Sequence, residues 1–157
     1  MYKDIYVREF APAISDFTLN ANGGARTGMA CVISNAATKE VALANGATDD
    51  IYVMDKERVA TGINASYQNL PDSFEEFNVI ADGERPILRK LIAGEVFGVD
   101  EEAIANVTAF VNAAYLTTTD GKWTPSANAG ADATKYAQTD RTTMVGGTKL
   151  YQIAVNE

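Results

Sequence analysis

The chain has 157 residues, with 13 Lys and Arg against 21 Asp and Glu, a single Cys and no His, for a formal charge of −8. Without His, a Ser–His–Asp triad and a Cys–His dyad are excluded. The acid excess and the lack of a basic stripe argue against nucleic acid and against an anionic membrane surface as partners. The length fits one domain, residues 1–157, large enough to bury a core without a metal or disulfide. Of the apolar residues 25 are Ala, Val (12) and Ile (10) outnumber Leu (7), and there are 15 Thr. β-Branched side chains fit a pleated sheet and lose rotamer freedom in a helix, so the composition predicts a mainly β fold.

In chain order, Ile5, Tyr6 and Val7 predict a short strand that Pro12 ends. Residues 1–12 read either as the first strand of the protein's own sheet or as an N-terminal arm reaching a neighbour. The start has mixed charge and no apolar stretch of a secretory signal, and the lone Cys31, which can form no intrachain disulfide, fits a reducing compartment. Residues 20–28 form a polar, Gly-rich loop without the pattern of a phosphate cradle. Residues 28–34 predict a strand that buries Cys31 as an inert thiol. A second strand follows at 39–43, a turn at Asn45-Gly46, and a third strand at 51–54, the spacing of a meander. Residues 61–72 are a polar loop with its own aromatic, read equally as a contact loop or as a packed Ω-loop. Ser73 and Glu76 fit a capping box for a short helical turn.

Residues 79–100 are read as strand, bulge, strand. The alternative over 86–93 is a helix, since Pro86 suits a first helical position and Leu88, Leu91 and Ile92 follow at near-helical spacing. A short helical turn or charged loop is expected at 100–104. Asp120-Gly121 between β-prone flanks predicts a hairpin, residues 126–133 a loop, and Gly146-Gly147 a last hairpin into a closing strand at 149–155. The predicted architecture is a small antiparallel barrel or sandwich with long loops and at most short helices. No run approaches the roughly 20 apolar residues of a membrane span.

Chemistry is sparse. Asp49-Asp50, Glu75-Glu76 and Asp100-Glu101-Glu102 match no cation-loop spacing and read as solvated acids. Trp123 and the Tyr residues suit cross-strand packing or a ligand platform. The Asn64 and Asn106 sequons are set aside for want of a secretory signal. No catalytic residue, cofactor or metal site is expected. Exposed aromatics near a terminus can anchor an interface. The candidate contact residues are therefore Tyr2, Ile5, Tyr6 and Phe10 at the N-terminus, and Tyr67 and Asn69 in the polar loop.

The central stretch resembles tailed-bacteriophage capsid decoration (head cement) proteins. The resemblance lies in residues 53–58 (Val-Met-Asp-Lys-Glu-Arg) with 61–63 (Thr-Gly-Ile), residues 93–100 (Ala-Gly-Glu-Val-Phe-Gly-Val-Asp) and residues 120–125 (Asp-Gly-Lys-Trp-Thr-Pro). The opening residues 1–8 look like that group as well. These pieces together span 31 of the 157 residues. The resemblance implies a non-enzymatic protein on the outside of the capsid shell, assembled in the host cytoplasm and bridging major capsid protein subunits. Many such proteins are trimers and others sit as monomers or dimers, so the resemblance is compatible with a homotrimer or another small homo-oligomer and leaves the oligomeric state open. Two other readings stay open: a tail-tube or head–tail connector subunit, and a small carbohydrate- or ligand-binding β domain.

Overall fold

A computed structural model describes residues 1–9, 12–46, 50–56, 75–126 and 135–156. About half of these residues lie in strands, and the one α-helix among them is a single turn, α1 (Val107–Phe110). Asn106 caps it by accepting from the Ala109 amide at 3.1 Å. Two larger sheets carry the fold. The first has six strands: β1 (Tyr2–Tyr6), β9 (Val96–Val99), β10 (Tyr115–Thr119), β11 (Lys122–Pro125), β12 (Tyr136–Val145) and β13 (Thr148–Val155), in the order β1-β9-β13-β12-β10-β11. The second has five: β2 (Thr18–Leu19), β4 (Ala30–Asn35), β5 (Glu40–Leu43), β6 (Tyr52–Asp55) and β8 (Ile87–Lys90), in the order β2-β5-β4-β6-β8. β3 (Ala25–Arg26) pairs with β7 (Val79–Ile80) as a small separate ribbon. Among the described strands, all pairings are antiparallel except the short β2–β5 contact, and an isolated Ile104–Trp123 bridge is also parallel.

The mainly β, antiparallel prediction is the architecture found. Residues 2–6 form a strand of the protein's own sheet, paired with β9. Residues 87–90 are strand and not helix. Leu88 is fully buried and exchanges backbone hydrogen bonds with Ile14, so an extended backbone satisfies its donor and acceptor. The expected bulge between the two strands is instead a crossover: β8 ends in one sheet and β9 begins in the other, with Gly94 at φ +90° on the way. Asp120 (φ 48°) and Gly121 (φ 75°) make the two-residue hairpin turn whose left-handed pair matches strand twist.

That hairpin locks the sheets together. Gly121 donates to Ala44 O and accepts from Ala30 N, and the Thr118 hydroxyl donates to Gly46 O. Between the sheets lies the core, with Leu19, Val41, Ile51, Val53 and Met54 from one side and Phe97, Leu116, Trp123, Tyr136 and Ile153 from the other. Trp123 is its centre: fully buried, 5.5 Å from the Phe97 ring and 5.1 Å from the Tyr136 ring. Its indole N–H donates to Gly28 O at 2.9 Å, so the polar end of this large side chain is satisfied inside.

Candidate interaction surface

The N-terminal candidates part ways on folding. Tyr2 turns inward, is almost fully buried and sits 6.0 Å from the Phe97 ring. Its hydroxyl donates to the Asp4 carboxylate. Burial, then that hydrogen bond, push the Tyr2 hydroxyl pKa well above the ordinary tyrosine range. Tyr2 is thus a core residue and not an exposed contact. Met1 beside it is also buried, its ammonium paired with the Asp100 carboxylate. Asp100 therefore leaves the acidic cluster it belongs to in sequence, while Glu101 and Glu102 are exposed.

Ile5 and Tyr6 stay outside. The β1–β9 register runs from Asp4↔Phe97 to Tyr6↔Val96, so Ile5 is the extra residue of a bulge. Its Cδ1 lies over Gly98, at 3.5 Å from where a Cβ would stand there. Ile5 is 38% exposed and Tyr6 59%. Phe10, Tyr67 and Asn69 lie outside the described residues.

Register shows what Tyr6 belongs to. Tyr6 opposes Val96, Val96 opposes Ala154, Ala154 opposes Ala137, and Ala137 opposes Tyr115. The chain of pairings runs straight across five strands. Neighbouring positions Leu116, Tyr136, Val155 and Phe97 are buried in the core, so the row lies on the opposite, outer face, because side chains alternate along a strand. Val96, Ala137 and Ala154 are half-buried, and Tyr115 is 40% exposed. The result is an uncharged strip with a floor of small side chains and a tyrosine at each end. Four inter-strand steps of ~4.8 Å separate the two tyrosines by roughly 19 Å at the backbone.

Other sequence-level candidates resolve differently. Trp123 is enclosed by the core, and among the described residues the exposed aromatics are Tyr6 and Tyr115. Cys31 is fully buried, and burial pushes its thiol up to about 12. Glu75 is exposed and paired with Arg26 through two hydrogen bonds, which hold its carboxyl below the usual range. Tyr115, Ala137 and Ala154 were not among the predicted contacts. Their membership follows from the long-range register of β10, β12 and β13, to which single-strand alternation gives no access. No protein-family model, curated protein or solved structure matches the chain.

Proposed function

We propose that this chain is a non-enzymatic structural protein of a phage virion, binding the outside of the capsid shell and stabilising contacts between major capsid protein subunits. The observation that carries the protein-binding part is the outer-face strip from Tyr6 through Val96, Ala154 and Ala137 to Tyr115. A chain of net charge −8 keeps this strip free of charge and ends it with tyrosines. Interface cores are depleted in charge and enriched in aromatics relative to ordinary surface. The sequence resemblance directs the binding role to a capsid. Ile5 and Tyr6 are the predicted contact residues that lie at one end of the strip.

The test is the copy number of the chain in purified virions relative to the major capsid protein, by quantitative mass spectrometry. It is joined to rebinding of the purified chain to stripped heads. A copy number comparable with the shell subunit, and rebinding lost in a Tyr6→Ala/Tyr115→Ala double variant, is the expected result. A few copies per particle would move the chain to a connector or tail role. Absence from particles would overturn the virion reading.

A further inference from the structure

Beside Tyr115 the strip opens into a trough of about 540 Å³ between the turn after α1 and the middle of β12. Val111, Ala113, Tyr115 and Ala137 give it an apolar part, and the amides of Asn112, Gln138 and Asn156 make most of its open surface polar. Asp140 is the one charged residue of the lining. It reaches that position because β12 bulges: the register with β13 runs from Gln138↔Ile153 to Thr142↔Tyr151, leaving three β12 residues opposite one. Asp140 sits there at φ +57°, the left-handed region that Asp and Asn tolerate better than other non-Gly residues. Its amide donates to Gln138 Oε1 at 2.9 Å, which closes the bulge locally. Its carboxylate is exposed and makes no ion pair with any described residue.

We propose that this trough docks a basic segment of another protein. A Lys or Arg stem would lie along Tyr115 and Val111, with its cation at Asp140. Three features select that occupant. The single lining charge is negative. The exposed aromatic and aliphatic walls, Tyr115 at 40% and Val111 at 38%, suit the methylene stem and, at Tyr115, the cation itself. The whole chain carries −8, so a second copy is repelled while a basic partner is drawn in. The inference rests on the binding role proposed above for the same sheet face and adds the chemistry of the partner.

The probe is a short Ala/Thr peptide with one central Arg, compared with its Gln counterpart, titrated into the isotope-labelled full chain and followed by amide NMR shifts. The Arg peptide is expected to move amides of residues 113–116 and 137–141. Asp140→Asn keeps the left-handed backbone and removes the charge, and should weaken binding about two- to fivefold, as for an exposed ion pair. Added NaCl should weaken it further. Tyr115→Ala supplies a second variant with the same expected direction. Equal binding of both peptides, shifts mapping elsewhere, no shifts at the highest soluble concentration, or salt-insensitive self-association through this face would each overturn the proposal. Peptide binding by a chain absent from virions would remove the virion reading and leave the trough's chemistry standing. High copy number with no peptide response would do the reverse.

Discussion

The two faces of the six-stranded sheet are made by the same strands one residue out of step. Inward, Leu116, Tyr136, Val155, Ile153 and Phe97 are all buried and carry much of the side-chain volume of the core. Outward, the neighbouring positions Tyr115, Ala137, Ala154 and Val96 carry two alanines where the inner face carries Tyr136 and Val155. Large residues inside serve packing density, since each buried methylene stabilises by about 0.8 kcal/mol. Small residues outside leave the backbone ridge low between two exposed tyrosines. Outer-face positions off this row, such as Gln152 and Thr117, are polar, as expected of an antiparallel sheet with one solvated face, and the row itself departs from that pattern. The contrast therefore separates the face that packs the core from the face proposed above for recognition, within a single element.

The contrast breaks most severely at the inner face. Trp123→Ala should cost about 3–5 kcal/mol, because it empties the centre of the aromatic cluster and orphans Gly28 O. Urea denaturation measures it, and a loss below about 1 kcal/mol would show that the cluster recloses and that Trp123 is not the keystone of the core. Next comes the joint between sheets. At Gly121 a Cβ would stand 3.0 Å from Ala30 O and 3.0 Å from Leu43 Cδ2, at φ +75°. Gly121→Ala should therefore cost about 1–3 kcal/mol through backbone strain and overpacking together, read as a lower Tm.

A smaller effect is titratable. Cys31 has its thiol pushed up to about 12 by burial, above the ordinary thiol value it regains on unfolding. The unfolded chain therefore loses this proton first as pH rises. The contribution is whole below the unfolded value near 9 and declines from there towards 12. Comparison with Cys31→Ala isolates it: the wild type should lose more stability than the variant between pH 8 and pH 10.5, by at most ~1.4 kcal/mol per pH unit. Thiol reagents should label native protein only at the rate of opening. Fast labelling at pH 8 would place Cys31 at the surface and contradict its burial.

Much of the fold was legible because its signals are local. The Asp120-Gly121 and Gly146-Gly147 turns, the β-branched runs and the lone apolar Cys31 each state their conformation within a few residues. The crossover at 91–95 was not legible as such, since nothing in a strand says which sheet its successor joins. The short helix Val107–Phe110 went unread because one turn leaves no periodicity, only the Asn106 cap. The candidate surface was half legible. Aromatic residues near the N-terminus drew attention to Tyr6, but alternation alone could not tell that Tyr2 faces Phe97. The Ile5 bulge shifts the register after Asp4 and decides which way Tyr6 points. The other end of the strip lies more than a hundred residues away in the chain and becomes its partner only through four successive strand pairings.

The smallest stability effects sharpen the comparison furthest. Tyr115 and Leu116 are adjacent on β10, and their side chains leave it on opposite faces. Leu116→Ala should cost about 2–5 kcal/mol, whereas Tyr115→Ala should stay within about 0.5 kcal/mol, because little is packed against an exposed ring. Tyr6→Ala should behave like Tyr115→Ala. If either tyrosine variant instead destabilised the chain as much as Leu116→Ala, the outer strip would be part of the packing and its exposed aromatics would need no partner to explain them. If stability is untouched while rebinding to heads falls, the tyrosines are retained for something outside the chain. Ala154→Glu separates floor from walls: it adds a charge at the centre of the strip, away from the trough, without removing either ring. It should leave Tm within a few degrees, as surface changes do. Rebinding should nonetheless fall at least as far as in Tyr115→Ala, because a carboxylate buried in an apolar contact must be desolvated without a counter-ion. A floor variant that binds as well as wild type would confine recognition to the tyrosine ends and leave the small residues to the demands of the sheet alone.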